Sequence, residues 1–481
     1  MKYLFETRRA LGLAFVFAVG AAAQISAQGR PALQSAAEAI VAGASGEWGV
    51  VAWSLDRDVP LISIRAEDIQ IPASNNKIFT SIWALNELGP DYRFPTDLLL
   101  TGPISDNGVL RGSVVLRGSG DPAFGYPDFT EDSMDPLRIM ARRLRALGVR
   151  SVEGGVIGDP TVFDTILVGP DWPRDTGGGS AAYAPRVSGL AFQRNLIWIE
   201  VEPTSGGGPA TITLTPAVEA IPVVNQARTG GGRAWAVRQA DDDTIYVKGA
   251  VSGSRLHRYR VGVAQPALLA AAALRQALIA EGIAVRGPAT VGDTPEDAKL
   301  VHRHFSIPLG QMIPKLNQDS DNFFAEHLWK ATVADVLGEG SYARGGAASA
   351  MFFHDNAGIP YGQLYQFDGS GLSESNRTSA LAIVKALQYA DQAPWSELFH
   401  NSLAVAADPD GTMNRLFRGT LAAGNLHAKT GYINDVRTLS GYVRARNGER
   451  IAFSFLYNGR NTFGARSVQS QLGELLAEYG G

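Results

Sequence analysis

Apolar and polar positions repeat with two different periods along this chain, and the places where one period gives way to the other outline its organisation. Ser35 to Ala42 carries apolar residues at helical spacing. Trp48 to Leu55 and Leu61 to Ile64 are short β-rich runs parted by Asp56-Arg57-Asp58, and Ile78 to Leu88 returns to the helical repeat. The opening order is therefore α, β, β, α. From about Phe94 to Ala264 short strands predominate, such as Gly112 to Leu116, Ile197 to Val201 and Tyr246 to Val251. One helix is predicted near Pro136 to Leu147, and glycine triplets beginning at Gly177, Gly206 and Gly230 read as hairpin tips or loops. Helices resume at Pro266 to Glu281, Leu309 to Leu316, Phe323 to Leu337 and Ser379 to Ala390. The chain closes with strands Thr438 to Arg446 and Ile451 to Tyr457 across Asn447-Gly448, a strong hairpin signal, and a last helix from about Ala465.

Composition narrows the chemistry. A chain of 481 residues with 45% hydrophobic content has material for two or more packing units. Lys+Arg 43 against Asp+Glu 47 leaves a net charge of −4 with no block of like sign, so neither the basic stripe that nucleic acid requires nor a polybasic membrane patch is present. The absence of cysteine excludes disulfides, thiolate metal sites and thiol nucleophiles, which leaves oxygen or nitrogen for any covalent catalysis. Lys2, Arg8 and Arg9 precede an apolar run from Ala10 to Ala23, and Ile25-Ser26-Ala27 offers small residues for cleavage. Residues 1–27 thus have the layout of a secretory signal peptide. The alternative is a retained anchor helix, for which the run is short. The expectation is an exported, periplasmic protein without a stable membrane anchor. The seven histidines form no His-Glu-x-x-His arrangement, and neither a metal nor another cofactor is expected.

The chemistry begins at Pro72-Ala73-Ser74-Asn75-Asn76-Lys77. If Ser74 opens the following helix, Lys77 shares its face three residues on and its amine can reach the hydroxyl. Holding a lysine neutral near pH 7 costs about 4 kcal/mol, which burial or a neighbouring cation must supply. Taken alone, Ser-x-x-Lys is a weak signal, for which a capping serine beside a solvated lysine is the simpler account. Two further motifs alter that balance. Ser320-Asp321-Asn322 precedes a helical run and offers a hydroxyl for proton relay and an amide for a peptide substrate. Lys429-Thr430-Gly431 precedes the closing hairpin and offers a cation, a hydroxyl and a glycine backbone that a substrate can approach closely. Lys429 is also a candidate for the second cation beside Lys77.

In this order the three motifs resemble those of the penicillin-recognising serine enzymes. Further stretches resemble the D-alanyl-D-alanine carboxypeptidase/endopeptidase family of the penicillin-binding protein 4 type: Gly118 to Pro122, Gly158-Asp159 with Phe163-Asp164, Tyr183-Ala184-Pro185, Asp368 to Ser373 and Asp410-Gly411-Thr412. The resemblance implies an α+β fold. Its core is a serine β-lactamase/transpeptidase-like domain, an antiparallel sheet flanked by helices with an all-α subdomain, formed from residues 28–93 and 265–481. A large strand-rich insertion over residues 94–264 would make one or two extra domains. It also implies hydrolysis of peptidoglycan stem peptides through an acyl-enzyme, with β-lactams acylating the same serine. By this resemblance Ser74 is the nucleophile, Lys77 its base and Ser320 the relay to the leaving amine. Asn322 holds the substrate amide, Lys429 and Thr430 engage the terminal carboxylate, and the backbone beside Gly431 at Tyr432 completes an oxyanion site with Ser74. The alternatives are a serine β-lactamase and a non-catalytic peptidoglycan-binding protein. Two departures stand out: Tyr432 where the family often has threonine or serine, and Glu374 where it often has a basic residue.

Overall fold

The computed structural model describes residues 29–172, 182–238, 242–252 and 256–481, so the signal-peptide reading of residues 1–27 and the triplet at Gly177 lie outside the described residues. The fold is α+β, in two compact units. The first gathers the described residues up to Trp83 together with Ile313–Ser320 and Gly346–Gly481; the second comprises Ala84–Met312 and Asp321–Gly345.

The first unit is built on helix α1 (Arg30–Ala42), strands β1 (Glu47–Ser54) and β2 (Val59–Ile64), the start of helix α2 (Asn76–Glu87), helix α3 (Ala380–Gln392), strands β3 (Ala404–Val405), β4 (His427–Ile433), β5 (Val436–Arg444) and β6 (Arg450–Asn458), and helix α4 (Thr462–Ala477). The strands form one antiparallel sheet in the order β3-β4-β5-β6-β1-β2. Its central seam joins the two ends of the chain, with Val50 opposite Phe455. The period of two decides what each face meets. Trp48, Val50 and Ala52 enter an apolar cluster with Leu33 and Ala37 of α1 and Leu472 and Leu476 of α4. On the opposite face Gly49 lies against Ala380 of α3, and the Tyr442 hydroxyl donates to the Leu387 carbonyl at 2.8 Å. The Asn-Gly pair lies within the β5–β6 connection, where Ala445 N–H donates to the Glu449 carbonyl at 2.8 Å. The loop is thus longer than the two residues that Asn447-Gly448 alone suggests.

The second unit carries a five-stranded sheet ordered 289–291, 156–159, 114–117, 95–100, 299–305, two three-stranded sheets over residues 196–262, and the helices Asp135–Ala146 and Pro266–Ala280. It is larger than the 94–264 segment read from sequence for a specific reason. Lys299–Phe305 pairs antiparallel with Pro95–Leu100, and Ala289–Val291 pairs with Val156–Gly158, so backbone ladders hold the chain after residue 265 in this unit. The helix Asn322–Leu337 also belongs here, where buried Lys330 pairs with Asp164 at 2.6 Å. The glycine triplet at 206–208 caps a hairpin between Leu196–Glu202 and Thr211–Thr215. The triplet at 230–232 links two strands that both pair with Ile245–Val251 and not with each other. Among the described residues no helix is long and apolar enough to cross a membrane.

Candidate active site

Ser74 is the middle residue of a short 3-10 turn, Ala73–Asn75, that runs directly into α2. The nucleophile candidate therefore sits one turn ahead of the regular helix, and Ala73 before it is held at φ 47°, a left-handed conformation costing about 1–3 kcal/mol for a non-glycine residue. Packing holds that turn in place. A Cβ at Gly371 would lie 1.8 Å from the Ala73 carbonyl oxygen, so only glycine lets the 368–373 loop come this close. From the sheet side, Thr438 Oγ1 donates to the Pro72 carbonyl at 2.8 Å, and the buried Asn75 amide bonds Ser440 and Thr438.

Lys77 is fully buried in the first turn of α2. Its Nζ lies 3.1 Å from Ser74 Oγ and donates to the Ser370 carbonyl at 2.7 Å. The loop presenting that carbonyl is organised by the buried Asp368. Its Oδ1 accepts from Gly371 N–H at 2.7 Å and from Asn376 Nδ2 at 2.8 Å, and its Oδ2 accepts from Ser373 N–H at 2.6 Å. Two more loop carbonyls bind α2, at Asn76 Nδ2 (2.7 Å) and Thr80 Oγ1 (2.6 Å).

Lys429 on β4 is equally buried, and its Nζ donates to Ser320 Oγ at 2.9 Å and to the Thr430 carbonyl at 2.8 Å. Desolvation and then the charge of Lys77 push its pKa well below the ordinary lysine range. A depressed lysine pKa means that the unfolded chain binds more protons at this side chain than the folded protein, between the lowered value and 10.5. Its effect on stability therefore becomes more favourable as pH rises through that window. Thermal melts of wild type and Lys429→Met across neutral to alkaline pH should show the difference in Tm, wild type minus variant, increasing with pH.

Ser320 adopts φ 58° in the first unit, facing Lys429. Thr430 Oγ1 lies 3.3 Å from Thr412 Oγ1. Gly431 closes on the nucleophile turn: a Cβ there would fall 2.0 Å from Thr438 Oγ1 and 3.1 Å from Ser74 N. The space before the Ser74 amide therefore stays open only for glycine. Tyr432 is 57% exposed, and the Arg437 guanidinium carbon stands 4.8 Å from its ring centre. Ser74, Ser320, Thr430 and Tyr432, together with Arg437 and Arg466, line one cleft of about 230 Å³. Strand β3 covers β4 only at His427 and Ala428, so among the described residues the edge beyond carries no strand and is open to an extended peptide.

The first unit thus brings together Ser74, Lys77, Ser320, Lys429, Thr430, Gly431 and Tyr432. Asn322 belongs to the second unit, where its Nδ2 donates to the Tyr183 carbonyl at 2.9 Å. There Asp321 caps the helix by accepting from Phe324 N–H at 3.2 Å and pairs with Arg194 at 2.6 Å. Glu374 is exposed and accepts from Asn434 Nδ2. Sequence reasoning gave no role to Asp368, Ser370 or Asn376, nor to Arg437 and Arg466. The run Asp368 to Ser373, dense in small and turn-forming residues, was the signal for the first group. The arginines had none, because the strand and helix that carry them are brought together only by folding.

Arranged in this way the site offers a hydroxyl within hydrogen-bond reach of a buried amine, a second buried lysine joined to a second hydroxyl, and a backbone amide facing open space. That combination suits nucleophilic attack on a carbonyl followed by proton relay to a leaving group.

Comparison with known proteins agrees with this chemistry. The model of the D-Ala-D-Ala carboxypeptidase 3 (S13) family matches residues 33–479. A D-alanyl-D-alanine carboxypeptidase of Actinomadura sp. is 33% identical over 433 residues, covering 85% of this chain and 77% of that protein. The D-alanyl-D-alanine carboxypeptidase DacB of Haemophilus influenzae is 25% identical, covering 86% of each. The crystal structure of penicillin binding protein 4 from Haemophilus influenzae shares the fold with a TM-score of 0.76 at 23% identity, over 91% of this chain and 97% of that one.

Proposed function

The chain belongs to the D-Ala-D-Ala carboxypeptidase 3 (S13) family, and from that membership we propose that it is a serine-type D-alanyl-D-alanine carboxypeptidase acting on peptidoglycan stem peptides, with Ser74 as nucleophile. The observation that carries this reading is the Lys77 amine 3.1 Å from Ser74 Oγ, fully buried, with a second buried lysine, Lys429, near enough to feel its charge. Ser74 Oγ attacks the carbonyl of the penultimate residue while Lys77 Nζ takes its proton. The oxyanion accepts from the backbone N–H groups of Ser74 and Tyr432, an interaction worth roughly 3–4 kcal/mol per donor in comparable sites. The proton taken up by Lys77 is relayed through Ser320 to the departing nitrogen, the C–N bond breaks, and D-alanine leaves an acyl-enzyme on Ser74. Water then attacks the ester while the Lys77 amine accepts its proton, and that proton returns to Ser74 Oγ as the ester C–O bond breaks and the shortened peptide is released. Asn322 is assigned to the substrate amide on its motif alone.

β-Lactams acylate Ser74 in the same way under this reading, and cross-linked peptides are cleaved where the leaving amine belongs to a second stem. The layout of residues 1–27 supports export to the periplasm. The test is incubation with a peptide ending in D-alanyl-D-alanine and, separately, with a fluorescent penicillin. Release of D-alanine with a label that persists over hours is expected. Absence of both overturns the reading, and rapid turnover of the label assigns the site to a β-lactamase instead.

A further inference from the structure

Among the cations of the cleft, Lys429 is the one least able to meet a substrate carboxylate directly. Its Nζ is buried, is engaged by Ser320 Oγ and the Thr430 carbonyl, and is held below the ordinary lysine range. Arg437 and Arg466 are in the opposite situation. Both are half-buried and line the cleft of Ser74. Neither takes part in an ion pair among the described residues, and Arg437 Nε is buried without a hydrogen-bond partner. The two guanidiniums repel one another closely enough to lower the pKa of Arg437, after desolvation as the larger cause. Two like charges, partly dehydrated and with no acid between them, are costly in a folded protein unless an anion completes the set.

The position also suits one anion in particular. Tyr432 and Arg437 are cross-strand partners on β4 and β5, with the guanidinium beneath the exposed ring. Thr430 precedes Tyr432 by two residues on the same face, roughly 7 Å along the strand. A peptide whose reacting carbonyl lies at Ser74 carries its terminal carboxylate only one residue further. Thr430 and Arg437 line the same cleft as Ser74 and are the groups there suited to meet such a carboxylate. A guanidinium binds a carboxylate through two parallel N–H bonds, a geometry that an ammonium group cannot match.

We infer that Arg437, supported by Arg466, is the counter-charge for the carboxylate beside the leaving amine, and that this pair makes the enzyme selective for peptides whose leaving residue carries a free carboxylate. Lys429 is then a buried element of the proton-handling machinery and not the carboxylate receptor. The inference rests on the peptidase reading above.

The experiment compares kcat and KM for two substrates, a peptide ending in D-alanyl-D-alanine and the same peptide with its terminus as the carboxamide, for wild type, Arg437→Gln, Arg437→Lys and Arg466→Gln. Wild type should prefer the acid. Arg437→Gln should lower kcat/KM for the acid by about 10–100-fold, mostly through KM, as loss of one charge-assisted contact made in both ground and transition states predicts. The amide should change by less than about 3-fold, because its terminus carries no charge. Arg437→Lys should recover part of the preference and Arg466→Gln should lose less of it. An unchanged Tm shows that each variant is folded. An equal fall for both substrates, or no change for the acid, overturns the inference while leaving the peptidase reading intact. A wild-type protein that cleaves neither substrate and takes no penicillin label overturns the peptidase reading, and the carboxylate assignment falls with it.

Discussion

Ser74→Ala is expected to abolish covalent labelling by a fluorescent penicillin and to lower D-alanine release by roughly 10⁴–10⁶-fold, the range found when a nucleophile acting with its base is removed. The loss should be total for labelling because Ser320, the other cleft hydroxyl beside a buried lysine, is not the one whose own backbone N–H borders the gap left by Gly431. Ser320 Oγ accepts from Lys429, and Thr430 Oγ1 meets only another hydroxyl, at Thr412. Folding should be almost unaffected, since Ser74 is half-exposed and the turn around it is held by Pro72, Asn75 and Gly371. Lys77→Met should cost about as much, and the double variant no more than either alone, because the two residues act as one unit. Covalent label on Ser74→Ala, followed by mapping of the labelled peptide, would move the nucleophile elsewhere.

Much of this site could be read in advance because its chemistry is carried by short, contiguous motifs. Ser74 with Lys77 are three apart, and Lys429 to Gly431 lie on one strand, so local spacing alone places their side chains. The strands and helices with clean periods also emerged close to their observed limits, such as Pro266 to Glu281 against Pro266–Ala280. Asp121 and Asp159 form turns as their Asp-Pro sequences suggest, accepting from Ala123 N–H at 2.8 Å and Thr161 N–H at 2.9 Å. What escaped the sequence is of two kinds. The helix Tyr342–Ala357 contains Gly345 and Gly346, which mask its propensity; a Cβ at either would meet Trp329 or the Gln366 backbone at under 2.4 Å. The second kind is long-range. That residues 289–305 leave the catalytic sheet follows from pairing with strands about 130–210 residues earlier in the chain, and no local pattern encodes that choice.

The same long-range logic makes Asp368 the residue whose conservative replacement should do most damage outside the reacting groups. Asp368→Asn keeps the size of the side chain but substitutes a donor for one of its oxygens. Three donors point at this carboxylate, from Gly371, Ser373 and Asn376, and the residue has no exposure through which water could intervene. An amide must therefore set an N–H against at least one of them. Leaving such buried groups unsatisfied costs about 1–3 kcal/mol each, so a loss of roughly 3–5 kcal/mol in unfolding free energy is expected. Activity should fall as well, because this loop presents the carbonyls that hold Lys77, Asn76 and Thr80. A displacement of about 1 Å at the base can by itself cost about 10²-fold in rate. Gly371→Ala separates the two effects. It leaves the carboxylate and its acceptor oxygens in place, but it brings a Cβ into the Ala73 carbonyl at a position held at φ 82°. It should therefore reduce penicillin acylation strongly while lowering Tm less than Asp368→Asn. Urea unfolding read alongside acylation rates measures both. If Asp368→Asn unfolds at the wild-type midpoint and acylates at the wild-type rate, the loop is not what holds Lys77 against Ser74.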